Sequence, residues 1–260
     1  MSDIVVPRDA LYIAAKAPRP GLAKTRLGRQ LGHQAAVELY RAFLRDLSLR
    51  FASLPRNLSC TLGWYITPPD AWPELAPLVT IPEGMQTPVI LAQGEGDWTT
   101  RQEALFAGAE GRGEGRTILI ASDSPHLNVS TIASAFRQLE RHDLVLGPVS
   151  DGGYYLIGMR GWHDVLRGIP MSTQTVTSEI AARAAQQGLS VGWTAPTFDI
   201  DEATDLAQLC RLVATRDDLP ATRAALRQPG LLTAGPAPAA PSLADHFTTA
   251  SPHVITGLSD

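Results

Sequence analysis

The sequence predicts an α/β protein built on a mostly parallel sheet with helices on both faces. Three observations lead there. Compact apolar runs of strand length, Leu11–Ala15 and Thr117–Ala121 among them, carry no charged residue, as strands covered on both faces do. Longer segments place their apolar residues at helical spacing. The two kinds of segment alternate along the chain, which is the order of βαβ units.

The elements follow in sequence. Leu11–Ala15 is the first strand, and Pro18, Arg19, Pro20 and Gly21 break it into a loop. A helix is expected from His33. There Ala36, Leu39, Tyr40, Phe43, Leu44, Leu47 and Phe51 share one face, with Glu38, Arg41 and Arg45 opposite. Leu58–Ile66 reads as a strand and Pro68–Pro82 as a proline-rich connection. Asp97–Glu110 reads as a helix, and Thr117–Ala121 as a buried strand that ends at Ser122-Asp123-Ser124-Pro125. Val129–Arg141 is helical. Leu144–Val149 and Tyr154–Met159 are strands around Asp151-Gly152-Gly153. A helix over Ser172–Gln187, a short strand over Val191–Thr194 and a helix over Asp199–Leu212 complete the pattern. There is no internal repeat. Beyond Asp217 the periodicity weakens, and Gly235–Pro241 is rich in alanine and proline. Residues 1–216 are therefore read as the domain, and 217–260 as a helix plus a tail. The part after Gly230 is expected to be dispensable for chemistry.

Composition narrows the function. The 260 residues, 44% of them hydrophobic, can bury a sizeable core. A net charge of −4 argues against general nucleic-acid binding. No apolar run approaches the ~18 residues of a membrane helix, and Met1–Asp9 lacks a signal-peptide pattern. A cytoplasmic protein without membrane partners is expected. Cys60 and Cys210 stand far apart with no CxxC, which leaves no disulfide framework or zinc knuckle. Of the 22 basic residues only Lys16 and Lys24 are lysine, and both fall in the first loop. Lysine is a compact point charge that arginine replaces poorly where one ammonium meets a phosphate.

In open α/β sheets, ligands bind outside the carboxyl ends of the strands. Lys16-Ala17-Pro18-Arg19-Pro20-Gly21-Leu22-Ala23-Lys24-Thr25-Arg26-Leu27 lies at such a place and offers Lys16, Arg19, Lys24 and Arg26. A P-loop would need glycine where Pro18 and Ala23 stand, so the loop is expected to bind phosphate in another way, the alternative being a solvated basic turn. Asp123 ends a buried strand, where a carboxylate can hold a hard cation; it could equally cap the following helix. Asp199 and Asp201 alternate, so in an extended segment they face one side. They could also serve as helix-terminal acids set against the dipole. Asp151-Gly152-Gly153 permits close approach of a ligand to the backbone or makes a tight turn, and Gln93-Gly94 is a weaker motif of that sort. No GxSxG is present, and His126 reads as a surface or supporting residue rather than a catalytic base.

In this order the motifs resemble a bacterial family of GT-A-fold transferases. It is the selenodomain-associated or arsenosugar-biosynthesis glycosyltransferase type, related to the molybdenum-cofactor and phospholactate nucleotidylyltransferases. The resemblance runs from Lys16–Leu27 through Leu39-Tyr40, Asp46, Gln93-Gly94, Gly96-Asp97 and Asp123-Ser124-Pro125. It continues over Gly147-Pro148, Asp151–Gly158, Asp199, Asp201 and Asp205-Leu206. The chain departs from the family at Trp98-Thr99-Thr100-Arg101, where Leu-Gly-x-Arg is usual, and at His126 and Asn128. The resemblance implies that Lys24 and Arg26 hold nucleotide phosphates and that Asp123 and Asp201 ligate Mg2+ or Mn2+. It also implies that Asp199 orients those ligands and that Gly152 and Gly153 line the acceptor or sugar pocket. The expected partners are a nucleotide or nucleotide-sugar and a small-molecule acceptor. Nucleotidyl transfer from a triphosphate is the first expectation, because Pro125 stands where a DxD pair would continue and the basic loop suits a triphosphate. Glycosyl transfer and a catalytically silent nucleotide-binding module are the alternatives.

Overall fold

The computed structural model describes residues 8–85, 87–171 and 173–228. Its strands are β1 (Arg8–Lys16), β2 (Cys60–Thr67), β3 (Val89–Ala92), β4 (Glu114–Ala121), β5 (Leu144–Pro148), β6 (Tyr154–Arg160) and β7 (Val191–Trp193). They form one sheet in the order β3-β2-β1-β4-β6-β5-β7. All neighbours pair in parallel except β6, which runs antiparallel to β4 and β5. The helices are α1 (Thr25–Leu31), α2 (His33–Phe51), α3 (Leu54–Leu58), α4 (Trp72–Leu75), α5 (Trp98–Ala107), α6 (Val129–Gln138), α7 (Val176–Gln186), α8 (Ala203–Thr215) and α9 (Pro220–Leu226). None of them is long and apolar enough to cross a membrane.

The period of two along each strand makes two cores. Leu11 and Ile13 of β1 face a core shared with α1, α2, α6, α8 and α9. Ala10 and Tyr12 face a core shared with α5 and α7. On α2, Leu39, Phe43 and Leu47 are fully buried, each stabilising the fold by about 1.5–3 kcal/mol. The mostly parallel α/β architecture is thus the expected one.

Several boundaries differ from the sequence reading for identifiable reasons. α1 and α2 are separate helices because Gly32 between them has φ 90°. β4 starts at Glu114, earlier than its apolar run. The buried Glu114 carboxylate accepts from Tyr12 Oη at 2.5 Å and from Arg112 Nε and Nη2 at 2.8 and 2.9 Å, so a charged residue is tolerated there. β3 is only four residues long and follows Pro88, too short to register as a periodic run. At the other edge, β7 is closed by a side chain. Gln138 donates to Trp193 O at 2.7 Å and accepts from Trp193 N at 2.8 Å, occupying backbone groups that an edge strand would leave open.

The helix expected after residue 217 is α9, and it belongs to the packed unit. Leu219, Ala225 and Leu226 lie in the first core. Asp46 of α2, 1% exposed, accepts from Ala221 N at 3.0 Å and Thr222 N at 2.8 Å, which satisfies two amides at the amino end of α9. The boundary placed at residue 216 therefore falls inside the unit. The Ala/Pro-rich tail and the cut at Gly230 lie outside the described residues.

A second long-range join fixes the carboxyl end of β4. The loop after β4 is bonded to the extended segment at residues 197–201. Ser124 Oγ donates to Phe198 O at 2.9 Å, and Ile200 N donates to Asp123 O at 3.1 Å. His126 shares a 2.6 Å bond with Thr197 Oγ1 and stacks on Phe198 with ring centroids 4.3 Å apart. His126 is 5% exposed, so of the two readings offered by the sequence, surface or supporting, it is the supporting one. Arg50 donates to the carbonyls of Pro125 and Leu127, and Arg216 to that of His126, so two arginines clamp this loop from behind.

Two stability predictions follow from these joins. Hydrogen bonds to a charged group are worth about 1.5–3 kcal/mol each, so losing both in Asp46→Ala should lower the unfolding free energy in urea by about 3–6 kcal/mol. A loss below about 0.5 kcal/mol, ordinary for a surface change, would mean that α9 docks without this cap. Burial, then the nearby Arg216 and Arg50 charges, push His126 down to about 4, against an ordinary histidine value near 6.5. The unfolded chain takes up its proton first. Stability contributed by His126 is therefore complete above about pH 6.5 and is lost as the pH falls towards about 4. Over that window His126→Gln should flatten the fall in stability by up to about 3 kcal/mol. Parallel pH curves for the two proteins would contradict this.

Candidate active site

Lys24 is the last residue before α1, with φ 50° and ψ 46°. A left-handed conformation in a non-glycine residue costs about 1–2 kcal/mol. Here it accompanies a side chain that is only 3% exposed. Lys24 Nζ lies 2.5 Å from Asp123 Oδ1 and 3.1 Å from Asp201 Oδ1, and donates to Ile200 O at 2.6 Å. An ammonium has three N–H donors, and all three have acceptors. Burial opposes the Lys24 charge, but Asp123 and Asp201 outweigh it and the pKa is raised.

The backbone brings these three residues together. Lys24 arrives on the loop after β1, Asp123 on the loop after β4, and β1 and β4 are neighbours in the sheet. Asp201 comes from the far end of the sequence through the join at residues 197–201. Its amide and that of Glu202 donate to Asp205 Oδ2 at 2.9 and 2.7 Å, a capping arrangement that starts α8 and holds Asp201 just outside it. Tyr40 Oη accepts from Lys16 N at 3.0 Å and bonds Ser122 Oγ at 2.9 Å, so the ends of β1 and β4 are tied from beneath.

Negative charge predominates around Lys24. The Asp123 and Asp201 side chains are 39% and 36% exposed. Burial, followed by the fields of Asp201, Asp151 and Asp123, pushes Asp199 up to about 6. Arg26 adds one exposed guanidinium 3.7 Å from Asp201 Oδ2. A phosphate entering here meets more carboxylates than cations. The donor set fits a hard divalent ion in a limited way. Among the described residues no group of three or more His, Cys, Asp or Glu could hold a metal, so the protein offers two carboxylates, Asp123 and Asp201. Magnesium binds by one or two carboxylates and fills its remaining positions with water and substrate phosphates. A zinc-type site, with three or four protein ligands, does not fit.

The other predicted residues divide. Lys16 ends β1, is exposed, and makes no ion pair among the described residues. Arg19 is turned away: its Nε and Nη2 reach Glu74 Oε1 at 2.8 and 2.5 Å, with Asp70 at 3.7 Å. Gly21 has φ 80° in open space, as the turn of this loop requires. Gln93, 4% exposed, is locked by donating Nε2 to Tyr65 O at 2.8 Å. Gly152, at φ 90°, meets the backbone of the segment before α7. A Cβ there would fall 1.9 Å from Gln174 O, so packing already requires this glycine. Thr177 donates to the carbonyls of Gly152 and Gly153, which pins the turn to α7. Asp151 is exposed and accepts from Gly153 N at 2.9 Å. Sequence reasoning missed Ile200 O as a partner of Lys24 and Tyr40 as the tie between strand ends; neither belongs to a local pattern. A cavity of about 670 Å3 lined by Tyr12, Cys60, Arg112 and Glu114 lies at the opposite, amino end of the strands. It holds none of these residues.

The comparisons bear on the family and the fold. A family model described as "Uncharacterized protein conserved in bacteria (DUF2064)" matches residues 69–173. No curated protein matches. A solved structure from Desulfovibrio desulfuricans G20, named as a candidate nucleotide-diphospho-sugar transferase, is 30% identical and superposes with a TM-score of 0.74. It covers 84% of this chain and 94% of its own. A cytidylyltransferase from Leptospira borgpetersenii shares 10% identity over 85% of this chain and 92% of its own, with a TM-score of 0.49. That second likeness is too distant to bear on function. With 30% identity extending over nearly the whole Desulfovibrio protein, this chain belongs to the same family, one with the nucleotide-diphospho-sugar transferase fold.

Proposed function

We propose that this chain is a nucleotide-using transferase that moves a nucleotidyl group from a nucleoside triphosphate to a small phosphorylated acceptor, releasing pyrophosphate. The observation that carries the site is the convergence of Asp123 and Asp201 on one cationic point at the carboxyl end of β4, beside the basic loop after β1. The name of the Desulfovibrio relative and the resemblance to the selenodomain-associated type support a nucleotide-using transferase.

The residues of this chain act by positioning and charge. Lys16 and Arg26, the two loop cations not committed to close ion pairs, meet the phosphate chain. Lys24 holds Asp123 and Asp201 at one spacing. Tyr40 fixes the level of the loop relative to the sheet edge. Asp199, raised to about 6, stands beside the pair as a group that can share a proton near neutral pH. A magnesium or manganese ion on Asp123 and Asp201 would neutralise phosphate charge as it shifts to the leaving group.

One observation favours a second reading, transfer of a sugar from a nucleotide-diphospho-sugar. The loop offers two exposed cations instead of four, since Lys24 and Arg19 are closely paired with carboxylates. A diphosphate-sugar needs less positive charge than a triphosphate. Against it, Pro125 stands where a DxD pair would continue.

The two readings separate in one assay. Incubated with each triphosphate, candidate phosphorylated acceptors and magnesium, the protein should release pyrophosphate. Release of a nucleoside diphosphate from a UDP- or GDP-sugar, with no triphosphate consumed, would establish sugar transfer instead. Asp123→Asn and Asp201→Asn should each abolish turnover with the fold retained by circular dichroism, and EDTA should do the same to the unmodified protein. Full activity in EDTA would remove the metal from the reading. Lys24→Met should lower turnover at least about ten-fold, the scale of one charge-assisted hydrogen bond, yet tighten manganese binding by calorimetry because a competing cation is gone. Weaker manganese binding in that variant would contradict the assignment of Lys24 as the ion that spaces the two carboxylates.

A further inference from the structure

We propose that Arg101 is an oxyanion-binding residue of the substrate site, at the β2–β3 end of the crevice. The inference rests on the reading of the carboxyl edge of the sheet as that site. Arg101 stands in the first turns of α5 and is half-buried. Its Nη1 reaches only Thr67 Oγ1 and Gln93 Oε1, both at 3.4 Å and both neutral. Its Nε is buried with no hydrogen-bond partner among the described residues. Asp97, one turn earlier, spends Oδ1 on Thr100 N and Thr100 Oγ1; it feels the Arg101 charge but makes no close ion pair with it.

Four other half-buried arginines are treated differently by this fold. Arg50 pairs with Asp218, Arg112 with Glu114, Arg116 with Asp9 and Arg216 with Asp218, each at 3.1 Å or less. An uncompensated guanidinium removed from water is unfavourable, and its planar fork matches a phosphate or carboxylate. The surroundings aim it at a ligand. Thr67 ends β2 opposite Lys16, the free lysine of β1. Gln93 cannot turn its amide around without losing its bond to Tyr65 O, so Oε1 stays towards Arg101. The strand order puts the end of β2 two strands from β4. The end of β2, where Thr67 meets Arg101, thus lies roughly 10 Å from the end of β4 along the same edge. A substrate spanning that distance carries its second oxyanion, either on the phosphate chain of the donor or on the acceptor, to Arg101.

The test uses the full chain with Arg101, Arg101→Lys and Arg101→Gln. Inorganic pyrophosphate, a phosphate chain with neither base nor acceptor, and 3-phosphoglycerate, an acceptor-like phosphorylated acid, are titrated by calorimetry. Arg101→Gln should weaken one of them about ten-fold or more, the scale of a charge-assisted bond. Arg101→Lys should fall between, keeping the charge and losing the fork. Loss with pyrophosphate assigns the donor phosphates; loss with phosphoglycerate alone assigns the acceptor. Ligand-free Arg101→Gln should melt no lower than the unmodified protein. The proposal is overturned if both probes bind all three proteins alike, if neither binds the unmodified protein, or if ligand-free Arg101→Gln melts lower. Failure of the transferase reading looks different: no triphosphate or nucleotide-sugar is consumed, while probe binding still depends on Arg101.

Discussion

One buried ammonium organises the functional end of this protein. Lys24 Nζ touches carboxylates from two distant parts of the chain and a carbonyl from a third residue. Remove its charge and Asp123 and Asp201 face each other across a partly dehydrated gap, beside an Asp199 already pushed towards neutrality. Breaking a buried ion pair by deleting one partner is much costlier than the pair is stabilising. The constraint is therefore mutual: the acids keep the lysine charged, and the lysine keeps the acids close.

That arrangement changes how the basic loop is understood. A loop rich in cations looks like a surface waiting for phosphate, yet in the folded chain it is partly self-neutralised. Lys24 serves the aspartates, Arg19 serves Glu74, and only Lys16 and Arg26 keep their charge towards solvent. A phosphate chain cannot be held there by the loop alone. On the proposed reading it would be held by a divalent ion on the oxygen donors of Asp123 and Asp201, or by further cations along the edge. The underused guanidinium of Arg101 meets that second need.

Arginine does the structural work on the far side of the same loops. Arg50 and Arg216 take up the carbonyls of Pro125, His126 and Leu127, which have no strand or helix partner. Both also bond Asp218, so the connection from α8 to α9 becomes part of the support beneath Asp123. Buried carbonyls need donors, and a guanidinium with five N–H groups can serve several at once. Asp123 is thus held from behind by residues more than seventy positions away in sequence.

The amino-acid sequence alone determined the architecture and nominated the residues of the candidate site. Period-two and period-3.6 patterns are local consequences of backbone geometry, so α2 and the central strands could be read directly. Asp123, Asp201 and the basic loop stood out because charge at the end of an apolar run is itself a local signal. The partners were not legible. Whether Lys24 meets a phosphate or two aspartates depends on β1 lying beside β4 and on the segment at 197–201 crossing to join them. Gly152 illustrates the same limit. Its pattern fits a ligand pocket or a packed turn, and only the approach of Gln174 decides between them. Side-chain roles that depend on contacts across the fold are set by tertiary packing, and nothing in the nearest residues of the chain encodes them.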